Sequence, residues 1–308
     1  MSYFLHILLN NVIPIGIMIV LGAMLYRAFH LDIKTFSKLI FYLFTPVLIF
    51  KLLYESDISG KDLLQVVVFV ILFLVSLYVV ADVVARLRGL KGGMRSAMRN
   101  SVIFYNSGNY ALPLNQLVFS GNPYTMSVQM MVMTFQALLP NTYGIYAVNA
   151  HKASLKQTIR TILHMPIIYA IPLAFLLRGF QVEIPHPIYV PITYIADGYT
   201  AIALLTLGIQ LGQMQWKLDR WVEVALANVL RLVVGPLLGF GVVLLLGLEG
   251  LMAQALVLSC SVPTSLNSVL LAVEFDNEPE FASQVAFTTT VLSMITVTIV
   301  ISLLRFIP

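Results

Sequence analysis

Two apolar stretches of this chain carry polar groups where a lipid-facing helix gains nothing from them. Residues 97–120 read Ala97-Met-Arg-Asn-Ser-Val-Ile-Phe-Tyr-Asn106-Ser107-Gly108-Asn109-Tyr110-Ala111-Leu-Pro113-Leu-Asn-Gln116-Leu-Val-Phe-Ser120. Near the other end stand Leu258-Ser-Cys260-Ser261-Val-Pro263-Thr264-Ser265-Leu-Asn267-Ser268. Each stretch is apolar enough to span a bilayer, yet each has Asn, Ser and Pro at its centre. A proline removes a backbone donor and clashes with the carbonyl four residues back. In hydrocarbon, freed backbone groups persist only where protein or a polar cavity satisfies them. Helices broken at mid-membrane mark binding sites in transporters. A helix restarting near Pro113 or Pro263 presents N–H groups and the positive end of its dipole, which suit a carboxylate without a fixed cation. Asn109 and Asn267 add amide donors and acceptors, Ser107, Ser261, Thr264 and Ser265 add hydroxyls, and Gly108 allows close backbone approach. Neither stretch holds Asp or Glu, which argues against a strongly cationic ligand. The bland alternative is a pair of proline kinks repaired by packing and serine hydroxyls.

Arg231 lies about ten residues into an apolar span, and charge at that depth is costly and often functional. It can attract an anionic substrate, or pair with a carboxylate. Asp82 is nearest by depth, although Arg86 at i+4 can already hold it. A structural role is equally open, bridging carbonyls freed near Pro236 or snorkelling to the interface. His164 reads as packed or bridging more readily than as a proton carrier. Gln116, Gln136, Asn141 and Gln284 either line a polar path or make helix–helix hydrogen bonds. Met126, Met130, Met131 and Met133 read as packing.

The elements that must position these groups are membrane spans. The chain has 308 residues, 59% of them hydrophobic and 10% charged, with mean hydropathy +0.90; a soluble domain carries roughly a quarter charged residues. Ten apolar spans are expected, near 7–27, 35–54, 62–85, 97–120, 124–147, 158–178, 188–212, 221–246, 252–274 and 281–304. The first reads as an uncleaved helix, since no basic segment precedes it. Cys260 is the one cysteine, so neither a disulfide nor a thiolate zinc site is suggested. No HExxH, GxSxG or phosphate-loop motif occurs, so an enzyme is not expected, nor is a cofactor.

Loop charges set an expected orientation. With alternating spans, one side collects Arg27, Lys34, Lys38, Arg86, Arg88, Lys91, Arg95, Arg99, Lys152, Lys156, Arg160, Lys217 and Arg220, thirteen in all. The other collects Lys51, Lys61, Arg178 and Arg305. The positive-inside rule puts the thirteen in the cytoplasm and both termini outside, in a plasma (inner) membrane. The pI near 9.1 then reflects cytoplasmic loops, not a nucleic-acid surface.

The chain also repeats itself. Residues Ala23 to Ile33 align with Ala174 to Ile184 at five of eleven positions, an offset of 151. Pro14 and Pro166 are separated by 152, Pro113 and Pro263 by 150. Each copy has five spans, an odd number, so the second enters from the opposite face. The expected fold is an all-α integral membrane protein of two five-helix inverted repeats, 1–147 and 158–308, joined by a polar linker at 148–157, with helices 4 and 9 broken and crossing at mid-membrane.

This 5 + 5 arrangement, with Gly108-Asn109-Tyr110-Ala111-Leu112-Pro113 in span four and Pro263-Thr264-Ser265-Leu266-Asn267 in span nine, resembles the auxin efflux carrier family over essentially its whole length. Ala111 stands where the family commonly has Gly, and the long central loop of its plant members is absent. The resemblance implies secondary transport of a small organic anion by elevator-type alternating access, with the carboxylate at the helix 4/helix 9 crossing. It implies a scaffold of helices 1, 2, 6 and 7, a transport part of helices 3–5 and 8–10, and a homodimer through the scaffold. Acidic residues expected at a sodium site like that of the related bile-acid symporters are missing from both stretches. The alternative from another class is a transporter-like ligand sensor or receptor without net transport.

Overall fold

The computed structural model describes residues 3–56, 58–140, 143, 160, 163–214 and 220–307. The linker at 148–157, Asn141, Lys217 and the facing ends of the fifth and sixth expected spans lie outside them. Among the described residues every regular element is a helix. In chain order we label α1 (Tyr3–Phe29), α2 (Ile33–Glu55), α3 (Gly60–Leu87), α4 (Gly92–Ile103), α5 (Ala111–Val118), α6 (Pro123–Leu138), α7 (Ile167–Gly179), α8 (His186–Gln213), α9 (Trp221–Leu246), α10 (Gly250–Cys260), α11 (Leu266–Glu274) and α12 (Pro279–Leu304). Six of these, α1, α2, α3, α8, α9 and α12, are long and apolar enough to cross a membrane. The other six are shorter, and α4–α5 and α10–α11 are the halves of the two interrupted stretches.

Proline shapes the long helices without ending them. Five-residue π-helical segments at Leu8–Val12, Ile40–Phe44 and Leu230–Val234 each precede a proline by two residues, at Pro14, Pro46 and Pro236. Proline has no N–H to donate to the carbonyl four residues back and its ring crowds that carbonyl, so the preceding turn widens. Ile13, Thr45 and Gly235 accordingly donate to carbonyls five residues back, those of Leu8, Ile40 and Leu230.

Glycine fixes the tightest helix pair. A Cβ on Gly22 of α1 would lie 2.2 Å from the Leu205 carbonyl oxygen, and one on Gly208 of α8 would lie 2.0 Å from that of Ile19. Small residues let the two backbones touch, the close approach that lipid-embedded helices use in place of hydrophobic exclusion.

The core has two main bodies. One joins α2, α6, α7 and α8 through Ile49, Leu53, Met130, Ala174 and Tyr199. The other joins α3, α4, α9, α10 and α12 with part of α1, through Phe69, Phe73, Met98, Val243, Leu256 and Val285. Met126, Met130 and Met133 are buried in the first body, the packing role the sequence suggested.

Cross-helix polar contacts fall into two sets. Lys51 pairs with Asp197 at 3.0 Å, and Arg178 donates to the Ile58 carbonyl at 3.2 Å. Elsewhere Arg88 pairs with Glu223 at 3.3 Å, Arg220 with Glu278 at 2.9 Å, and Asn277 donates to Ser96 at 3.0 Å. Lys51 and Arg178 of the first set come from one group of loop charges, and Arg88 and Arg220 of the second from the other. Asp82, buried near the end of α3, receives Arg86 at 2.8 Å, Arg95 at 2.7 Å and Arg99 at 3.2 Å. That cluster ties α3 to α4 and leaves Asp82 unavailable to Arg231.

Candidate functional site

The site begins where α4 stops. Phe104 has extended backbone, and α5 starts seven residues later at Ala111. Pro113 stands third in α5, where the first N–H groups lack intrahelical partners anyway. Its ring blocks helical continuation from Asn109 and so fixes where α5 begins. In the second stretch Pro263 stands within the break itself, between Cys260 and Leu266.

The two breaks meet and satisfy each other. Tyr105 and Thr264 form an isolated antiparallel bridge. Asn106 N–H donates to the Pro263 carbonyl at 2.9 Å, and Ser265 N–H donates to the Phe104 carbonyl at 2.7 Å. Two interrupted helices thus supply the partners that lipid cannot. Side chains complete the set. Thr264 Oγ1 donates to the Ser101 carbonyl at 2.6 Å, and Thr264 N–H donates to Thr289 Oγ1 at 3.2 Å. From α6, Gln129 Nε2 donates to the Ser107 carbonyl at 2.8 Å, and Gln136 Oε1 accepts from Tyr105 N–H at 3.3 Å. Asn106 closes the turn: its carbonyl accepts from Ala111 N–H at 3.0 Å and its Oδ1 from Asn109 N–H at 3.1 Å.

A cavity of about 700 Å³ lies against this crossing. Asn106, Ser107, Gly108 and Asn109 form part of one wall, Ser265 and Asn267 another, with α2 and α8 opposite through Thr45, Thr206 and Gln210. Lys38 and Glu274 line it as well, and both are exposed. A crevice of about 660 Å³ between α2, α8, α11 and α12 shares Lys38 and Gln210 with it. At the far side Tyr199 Oη approaches Asn109 Oδ1 at 3.5 Å, and Thr200 Oγ1 donates to Gln116 Oε1 at 2.8 Å, bridging α8 to α5. Gly108 is wedged there: a Cβ would lie 3.0 Å from Met133 Cε and 3.1 Å from Tyr199 Oη.

Of the ten residues singled out from sequence, Ser107, Gly108, Asn109, Ser265 and Asn267 line this cavity. Pro113, Ser261, Pro263, Thr264 and Arg231 do not line it. Ser261 Oγ donates to the Leu258 carbonyl at 2.6 Å. Arg231 is fully buried, and its donors go to backbone: Nε to Val262 at 3.1 Å, Nη1 to Val102 at 3.2 Å, and Nη2 to Cys260. The carbonyls it bridges are those of the crossing, not ones freed near Pro236. His164 Nδ1 lies 2.7 Å from the Arg160 carbonyl, a local contact. Asn106, Lys38, Gln210 and Glu274 escaped the sequence reading. Asn106 was visible as the first polar residue of the break; the others lie on different helices and carry no local signature.

Among the described residues no cluster of three or more His, Cys, Asp or Glu could hold a metal ion. The cavity's polar lining is amides, hydroxyls, one lysine and one carboxylate. It suits a small polar ligand held by hydrogen bonds.

Comparison with known proteins agrees with that geometry. A family model described as membrane transport protein matches residues 7–301. An uncharacterized transporter of Methanothermobacter thermautotrophicus is 24% identical over 267 residues, covering 86% of each chain. The chain is a multi-pass membrane transporter and belongs to the membrane transport protein family, the auxin efflux carrier-like group.

Proposed function

We propose that this transporter is a secondary carrier of a small organic anion, moved by elevator-type alternating access and bound at the crossing of the two broken helices. The observation that carries this reading is the cavity walled by both breaks, with Asn109 and Asn267 contributed by opposite halves of the chain. Asn267 is exposed, and its side chain has no hydrogen-bond partner among the described residues. An amide there presents both a donor and an acceptor to a ligand in the cavity.

The reading takes the twelve helices as ten spans, α4–α5 and α10–α11 each counting once, in two inverted five-span repeats. The antiparallel Tyr105–Thr264 bridge supports it, since such a bridge is itself locally two-fold. So do His30 and Gln181, aligned at the repeat offset, which both adopt left-handed backbone, with φ of 50° and 52°. In this reading α1, α2, α7 and α8 form the scaffold, which also serves for dimerisation, and the remaining helices form the transport part. The cavity and the crevice beside it lie between the two. The methionines of α6 meet the scaffold there, and flexible thioethers suit a surface that must slide and repack. Lys38 and Glu274 belong to the loop face rich in Lys and Arg, so the cavity opens to the cytoplasm and both termini lie outside. An inside-negative potential drives anions outward through such a carrier.

The reading is tested in proteoliposomes with a panel of radiolabelled mono- and dicarboxylates. A carrier gives saturable flux, stimulated by unlabelled acid on the opposite side. Flux linear in concentration would indicate a channel, and binding without flux a sensor.

A further inference from the structure

Four helix ends meet at the crossing. The C-terminal ends of α4 and α10 present carbonyls, and the N-terminal ends of α5 and α11 present N–H groups. Each end carries roughly half an elementary charge, negative for the first pair and positive for the second. Left alone, the four nearly cancel, and the cavity would favour neither sign.

Arg231 removes that balance. Its guanidinium reaches the Val102 carbonyl in the last turn of α4 and the Cys260 and Val262 carbonyls at the end of α10. It stacks over the Tyr105 ring at 4.8 Å and near Phe73 at 5.9 Å, with no exposed surface. No Asp or Glu pairs with it among the described residues. Gly235, one turn on, leaves the space: a Cβ there would lie 3.1 Å from Nη2 and 3.2 Å from the Cys260 oxygen. A whole positive charge is therefore applied to the two negative helix ends, with two aromatic rings beside it and no carboxylate to cancel it. The charged groups lining the cavity, Lys38 and Glu274, offset each other.

We propose that Arg231 is a specificity-determining, positioning residue: by neutralising the carbonyl ends of both half-helices it sets a positive potential at the crossing, and so selects anions without touching them. This rests on the reading of the crossing as the ligand site, and it departs from the expectation that Arg231 contacts the substrate.

The test reads local potential directly and needs no known substrate. Asn267→Cys is placed in a Cys260→Ala, Lys38→Gln background, so that Glu274 is the charged residue left on the cavity lining. The purified protein in nanodiscs is treated with anionic ethylsulfonate and cationic trimethylammonium-ethyl methanethiosulfonates. The ratio of their rates is divided by the ratio for a free thiol. The expected result is a preference for the anionic reagent, kept by Arg231→Lys and lowered at least about ten-fold by Arg231→Gln, the order expected of a unit charge at roughly 10 Å in an effective dielectric near 20. An unchanged ratio in a monodisperse Arg231→Gln protein overturns the proposal. If Arg231→Gln does not fold, the background protein decides alone: cationic preference overturns the proposal, and anionic preference against Glu274 supports it. A protein that keeps the ratio yet moves no carboxylate overturns the carrier reading and leaves this one standing.

Discussion

The N–H of Asn106 donates to the carbonyl of Pro263 at 2.9 Å, and that bond joins two interrupted helices from opposite ends of the chain. Its mate runs from Ser265 to Phe104 at 2.7 Å. The pair explains how helices can stop inside a bilayer without stranding backbone groups. It also holds the two breaks together while the Asn267 amide beside them keeps no hydrogen-bond partner among the described residues.

Those two amides set the first prediction. Asn109→Ala and Asn267→Ala should each weaken ligand affinity by about ten-fold, the scale of one lost hydrogen bond to a charged group, and leave thermal stability nearly unchanged. Isothermal titration on the purified protein with the acid that gives flux checks this. Wild-type affinity in both variants would remove the crossing from the binding site.

Thermal unfolding in detergent checks the contact of α1 with α8. Gly22→Leu and Gly208→Leu should abolish folded protein, because a Cβ at either position meets backbone within 2.2 Å. Gly241→Ala has nothing within 4 Å of its new Cβ and should be neutral or stabilising.

Asp82 is the shared partner of three arginines, and its side chain is 8% exposed. Asp82→Asn should destabilise the protein by about 3 kcal/mol, since it leaves Arg95 and Arg99 uncompensated in a mostly buried setting. Arg86→Gln should cost far less, because the Arg86 side chain is 66% exposed. Comparable melting temperatures for the two variants would contradict the cluster's structural role.

Cys260 is buried and faces Gly239, whose Cβ would lie 2.7 Å from the sulfur. The wild-type protein should therefore resist charged thiol reagents from either side of the membrane. Rapid labelling, followed by mass spectrometry, would show that α10 opens to water there.

Much of this was legible in sequence because membranes simplify the code. Proline and asparagine inside an apolar run have few permitted explanations, so residues 97–120 and 252–274 announced their breaks. The spacing of apolar runs located the helices to within a few residues at most ends. The fate of Arg231 was not legible. Its partners are carbonyls of Val102, Cys260 and Val262, and backbone oxygens have no letter in a sequence. Asp82 was the nearest carboxylate by depth, but Arg86 at i+4 holds it, as the spacing allowed, together with Arg95 and Arg99 of α4. Pro263 and Thr264 were singled out by type and bond to the other break, while Ser261 only caps the Leu258 carbonyl of its own helix, since a hydroxyl that caps a carbonyl and one that meets a ligand read alike. Lys38, Gln210 and Glu274 come together only through tertiary packing.

The most direct measurement is the accessibility of Asn267→Cys, in the Cys260→Ala background, from each side of sealed proteoliposomes of known orientation. The account predicts labelling by impermeant reagents from both sides in turn, with protection by the same carboxylate in each case. Labelling confined to one side under every condition, or unaffected by any acid that gives flux, would contradict a carrier that binds its anion at the crossing.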